Sequence, residues 1–199
     1  MQSGEDKSWE ILAASDPADI CRNASVNYDT SSGCYLLQSF GIEITISPLD
    51  KKIFGKNQIA ELLFTRLGYF SKLSILWYLV SSKDIPLSGK LVNPVNLRGG
   101  HLFFRGTHVL PLDKLAGKYN NDIEGFLSKG ITLGGKKVGH GDAAVQFFPL
   151  PRIPVVLILW RGDDEFPPGA DILFDSSSET HLAIDVLWSI AMMSILIMI

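Results

Sequence analysis

Residues 155–160 read Val-Val-Leu-Ile-Leu-Trp, and three consecutive carboxylates follow at once, Asp163, Asp164 and Glu165. A short β-branched run that is apolar on both faces, rather than alternating, predicts a central strand covered on each side. Pro154 stands at its first position, where a missing N–H costs no interior ladder bond. The strand empties into an acidic turn, 161–166, closed by Pro167-Pro168-Gly169. A short strand or turn is expected at 171–174, with Asp175 beyond. Such a strand constrains the whole chain, which must supply a neighbour for each of its edges and a layer for each of its faces.

The neighbours are legible elsewhere. Residues 34–40 form an expected strand and Gly41 breaks it. Ile42, Ile44 and Ile46 then alternate with Glu43 and Thr45, the period of two of a half-buried strand, closed by Pro48. Short helices are expected at 9–14 and 17–24, the second with Asp16 as N-cap and Pro17 at its first position. Residues 1–8 are expected to be a flexible terminus. Residues 57–82 carry helical spacing, with Leu73, Leu76, Trp77 and Val80 as the core-facing stripe and Gly68 dividing two helices. Two more helical pieces flank Asn120-Asn121 within 112–129. Residues 134–141 hold four glycines and are expected to be a loop. Ser177 or Ser178 is the expected cap of the last helix, on which His181 would be a satisfied boundary residue. The last fourteen residues, 186–199, contain no charge. As a helix they rise about 21 Å against the roughly 30 Å of a hydrocarbon core, so a terminal core helix is expected. The alternative is an exposed apolar tail used for dimerisation or membrane contact. Helices lie between strand-rich ends, which predicts one α+β domain over 1–199, with a mostly antiparallel or mixed sheet and helices packed on it.

Composition narrows the function classes. An apolar fraction of 46% is ample for one core, and a net charge of −3 with scattered Lys and Arg predicts no nucleic-acid surface. The two cysteines, Cys21 and Cys34, make no close pair of the kind zinc or iron–sulfur sites need, and are expected to be reduced. The polar, acidic N-terminus does not read as a secretory signal, so a cytoplasmic location is expected.

Three stretches carry candidate chemistry. Asp163, Asp164 and Glu165 at a strand end, with Asp175, are oxygen ligands suited to a hard divalent cation. The competing reading is a turn that solvates itself and caps its own amides. His140, flanked by Gly139 and Gly141, can approach a ligand closely with Asp142 to orient it. Competing with that is a surface loop. Arg98 and His101 open an aromatic and basic stretch, 98–108, able to hold an anionic planar ligand, or else merely to cover the core with Phe103 and Phe104. No nucleophile elbow, zinc-protease motif or dinucleotide fingerprint occurs.

The order Tyr78-Leu79, Asp84-Ile-Pro-Leu-Ser-Gly89, Gly141-Asp142, Pro149-Leu-Pro-Arg-Ile-Pro154, Gly162-Asp-Asp-Glu-Phe166 and Leu173-Phe-Asp175 resembles the DUF3786 family, over roughly residues 9–187. The resemblance implies a prokaryotic, largely anaerobic setting. Some relatives resemble fusions to a cysteine-rich iron–sulfur segment like those of corrinoid proteins in one-carbon metabolism. This chain has no such cysteine cluster, so an iron–sulfur centre is not carried over. The expectation is a non-catalytic accessory domain binding a cofactor, metal or partner protein. Its rivals are a metal-assisted hydrolase built on the acidic turn and a homodimeric scaffold joined through the last helix.

Overall fold

The structure, a computed structural model, describes residues 4–104 and 108–199. Helix α1 (Gly4–Ala14) begins well before Trp9, so residues 4–8 are helical rather than flexible, and Ser8 and Trp9 are buried. Contact explains the difference: Gly4 lies against Leu73 and Trp77. Helix α2 (Pro17–Ala24) starts where its cap belongs, the Asp16 carboxylate accepting from Ala18 N at 2.8 Å. Four strands then form an antiparallel sheet in sequence order: β1 (Asn27–Asp29), β2 (Cys34–Ser39), β3 (Ile42–Ser47) and β4 (Lys52–Phe54). Ile42, Ile44 and Ile46 are buried while Glu43 faces solvent, as the period of two requires.

Helices α3 (Gln58–Thr65) and α4 (Gly68–Ser81) divide at Gly68. The deeply buried positions of α4 are Ser71, Ser74, Ile75, Leu76, Tyr78 and Leu79. Of the expected stripe only Leu76 is among them, because α4 has helices packed on several sides and no single inward face.

The second sheet carries the central strand. After β5 (Leu91–Val92), a 3-10 turn at Pro94–Asn96 and helices α5 (Gly100–Phe103), α6 (Leu112–Tyr119) and α7 (Ile123–Thr132) come β6 (Lys136–Val138), β7 (Ala143–Leu150), β8 (Ile153–Trp160) and β9 (Gly169–Asp175). The sheet is antiparallel in the order β5-β9-β8-β7-β6, so β8 is central and all of its residues but Trp160 are buried. Its Val155, Leu157 and Leu159 enter the main core, while Val156 and Ile158 form a smaller cluster with Ala144 on the other face. The glycine-rich stretch is not wholly loop. Lys136, Lys137 and Val138 pair with β7, and Gly134 and Gly141, both at positive φ, make the turns on either side.

Helices α8 (Ser178–His181) and α9 (Ile184–Leu196) end the chain. His181 therefore belongs to α8 and not to the last helix. Ser177 spends its hydroxyl on Asp175 instead of a cap, and α9 starts after Ala183 with no side-chain cap. Helix α9 is sunk in the core, and Lys118 Nζ and Tyr119 OH donate to the Met198 carbonyl at 3.1 and 2.6 Å. Residues 186–198 are buried or half-buried, with Trp188, Met192 and Leu196 the half-buried ones. No helix of the described residues is long and apolar enough to cross a membrane.

One core spans both sheets, giving a single α+β domain. Phe40 N donates to Phe148 O at 2.9 Å, Ser39 Oγ to Pro149 O at 2.7 Å, and the Phe40 and Phe147 rings lie 5.4 Å apart. The seam is close because Gly41 and Gly134 meet backbone to backbone. A Cβ on Gly41 would come within 2.8 Å of Gly134 Cα, at a φ of +74°. Gly41→Ala is expected to destabilise the fold by about 2 kcal/mol, from the left-handed backbone and the clash together. Urea unfolding checks this, and an unchanged midpoint would mean that the seam relaxes freely.

Candidate functional site

The acidic turn is closed by its own first carboxylate. Asp163 Oδ1 accepts from Glu165 N and Phe166 N at 2.9 and 2.8 Å, and these amides hold its pKa below the usual carboxylate range. The strand end is clasped from outside, Arg161 N donating to Asp142 Oδ2 at 2.7 Å and Gly162 N to Asn120 Oδ1 at 2.8 Å. Asp164 and Glu165 face solvent.

Asp175 does not join them. It sits at the far end of β9 from the turn, about 20 Å away along an extended strand. Its buried carboxylate accepts five hydrogen bonds: Ser88 N and Oγ at 3.0 and 2.7 Å, Gly89 N at 2.8 Å, and Ser177 N and Oγ at 2.9 and 2.6 Å. Burial raises its pKa, but the bonds from Ser177 and Ser88 outweigh that and hold it down to about 2. The expected metal set of Asp163, Asp164, Glu165 and Asp175 is therefore split between a self-capped turn and a saturated clamp. Among the described residues no group of three or more His, Cys, Asp or Glu gathers to hold a metal ion. Asp175 is therefore placed too far away to share one ion with Asp163, Asp164 and Glu165.

The expected cofactor set divides as well. His140 is exposed, and Asp142 is engaged with Arg161 at the Trp160 end of β8. Arg98 lies with α8, beyond the opposite end of the β8–β9 pair, its N–H donating to Glu179 Oε2 at 2.7 Å. His101 is exposed on α5, and residues 105–107 of the aromatic and basic stretch lie outside the described residues. These four side chains make no common cradle for a corrinoid or tetrapyrrole.

The structure gathers a different set around Arg98. Ser81, Lys83, Arg98, Glu179, Thr180, His181, Leu182, Ala183, Ile184 and Leu187 line a cleft of about 520 Å³ between the end of α4, α8 and the start of α9. His181 is 2% exposed. Its Nδ1 accepts from Lys83 N at 3.3 Å, which leaves the proton on Nε2, and that atom is buried with no partner. The histidine read as satisfied is thus half satisfied. Burial first, then the positive charges of Arg152 and Lys83, push its pKa below the ordinary 6.5, with Asp175 opposing, so the ring is a neutral donor. The ion pairs among the described residues are Arg22–Asp19 and Arg152–Asp84, and neither Lys83 nor Arg98 takes part in one.

Two clamps hold the strap that carries Lys83. Asp175 grips Ser88 and Gly89. Arg152 reaches Ile85 O at 2.9 Å and Asp84 Oδ1 at 2.6 Å, and it also binds Asn23 O and Arg22 O at 2.8 and 3.0 Å. The Tyr78 hydroxyl completes the knot, donating to Ala24 O at 2.7 Å and accepting from Arg152 N at 3.0 Å. Lys83 and His181 are 98 positions apart, so no local motif could pair them.

A family model described as a domain of unknown function, DUF3786, matches residues 16–196. Neither a curated protein nor a solved structure matches the chain.

The Asp175 clamp has a pH signature. A carboxylate depressed in the folded state adds stability above its unfolded pKa, and that stability is lost as pH falls through the folded value. Here the window runs from 3.8 down to about 2. Asp175→Asn is expected to lower stability at pH 7 by about 2 kcal/mol or more, since an amide nitrogen replaces one acceptor facing backbone N–H groups. The variant should also flatten the acid limb of a stability-against-pH curve. An unchanged acid limb would show that Asp175 is not what holds the strap.

Proposed function

The chain belongs to the DUF3786 family, and we propose that it is a non-catalytic binding domain whose ligand seat is the cleft beside His181. The single observation that carries the reading is the His181 Nε2–H, buried at the cleft wall and without an acceptor. Leaving such a donor unpaired costs on the order of 1–3 kcal/mol, a penalty that a ligand acceptor removes. The volume supports it too, since small-molecule sites run from about 300 to 1,000 Å³.

Taken with the resemblance described above, this makes the protein a cytoplasmic accessory of anaerobic prokaryotic metabolism that holds a small molecule. The strap supports a passive role: its backbone is held on either side of Asp84 to Gly89, and Lys83 N is bonded to His181.

Ala183 lines the cleft and is exposed, so Ala183→Trp fills the space at little cost to the core. A fragment screen read by backbone amide shifts should find ligands that move Lys83, Arg98, Thr180 and Ile184 in the natural chain and not in Ala183→Trp. Hits that map elsewhere, or that survive the tryptophan unchanged, would refute the cleft as the seat.

A further inference from the structure

Resting on that reading, we propose that the ligand is a small amphipathic organic anion. Its oxyanion head, a carboxylate or phosphate, meets Lys83, Arg98 and the His181 Nε2–H. Its apolar body lies on Ala183 and Ile184.

Charge is the first argument. Lys83 and Arg98 both line the cleft, and neither is ion-paired among the described residues. Glu179 is the single carboxylate in the lining, and one of its oxygens is already taken by Arg98 N. The lining therefore carries an excess positive charge and repels a cationic ligand. The neutral imidazole adds direction: with Nδ1 occupied by Lys83 N, Nε2 offers a hydrogen and accepts nothing, so its natural partner is an oxygen.

Helix α9 supplies the second argument. It is 13 residues long, begins at the cleft floor with Ala183 and Ile184, and has no side-chain cap. Its first-turn amides and the positive end of its dipole favour an anion, and the buried His181 donor stands independently beside it. Asp185 lies in the same first turn but is exposed and outside the lining.

The rest of the wall excludes a bare inorganic ion as the best ligand. Ala183 is exposed and Ile184 half-buried, and together they give the wall a small apolar shelf that a hydrated ion cannot use. A short hydrocarbon or aromatic body attached to the head would bury that shelf.

Calorimetric titration of the full chain with hexanoate, hexyl phosphate, hexanol, hexylamine, acetate and inorganic phosphate tests this. Hexanoate or hexyl phosphate should bind at least about tenfold more tightly than hexanol, and more tightly than acetate or phosphate, because the charge-assisted bonds and the shelf act together. Which of the two heads binds better assigns the carboxylate or phosphate source. Arg98→Gln and Lys83→Gln alter exposed side chains and should each weaken the anionic probes about tenfold while leaving hexanol unchanged. Equal affinity for hexanol and hexanoate, or tighter binding of hexylamine, would overturn the anion and leave the cleft reading standing. If no probe of any charge moves the cleft amides, both fall.

Discussion

A buried hydroxyl holds this molecule together. The Tyr78 OH, 0% exposed, donates to the last carbonyl of α2 and accepts the backbone N–H of Arg152 at the corner between β7 and β8. From that corner the Arg152 guanidinium reaches two further carbonyls of α2 and two groups of the strap after α4. One residue pair thus ties a helix pair, a sheet corner and an irregular segment. Arginine suits the place because its rigid fork serves several carbonyls at once, where a lysine is a single point charge. The part-buried bonds to Asn23 O and Ile85 O contribute on the order of 1.5–3 kcal/mol each, and the half-exposed pair with Asp84 less. Burial raises the Tyr78 pKa far enough that the hydroxyl stays protonated and keeps both roles.

The knot explains why the cleft has a shape. Residues 83–90 contain no regular structure before β5, so nothing in their own backbone would hold Lys83 in place. Arg152 pins the strap at Asp84 and Ile85, and Asp175 pins it at Ser88 and Gly89. With both ends fixed, Lys83 N meets His181 Nδ1 and selects the tautomer in which Nε2 carries the hydrogen. Asp175 has a structural task in this scheme, one that matters to the binding wall only through the strap.

Legibility in the sequence followed the range of the interaction. The isoleucine alternation of β3, the break at Gly68, the cap at Asp16 and the apolar run of β8 are local patterns, and each became the element its pattern describes. Errors came where tertiary contact outweighed local preference. Residues 4–8 look like a polar terminus, yet they are helical because Gly4 has Leu73 and Trp77 to pack on. Lys136 to Val138 look like loop among glycines, yet β7 offers them an edge to pair with. The site followed the same rule. Three adjacent carboxylates are conspicuous in a sequence, but Asp163 is absorbed in capping its own turn. Arg98 belongs to a conspicuous stretch, but Lys83 and His181 come from two other segments and join it only in space.

The central strand that dominates the sequence therefore determines the site indirectly. Because β8 and β9 are antiparallel, the acidic turn and Asp175 occupy opposite ends of the sheet, and no rearrangement of side chains can bring their carboxylates to one ion. The same antiparallel pairing delivers the chain after Asp175 to the end where α4 terminates. There α8 must turn back before α9 can enter the core, and the two reversals leave a gap walled by helix ends. Of these ends, the uncapped first turn of α9 presents unpaired backbone donors, which favour an acceptor. The acidic turn closes one pole of the sheet, and the cleft beside His181 lies at the opposite pole.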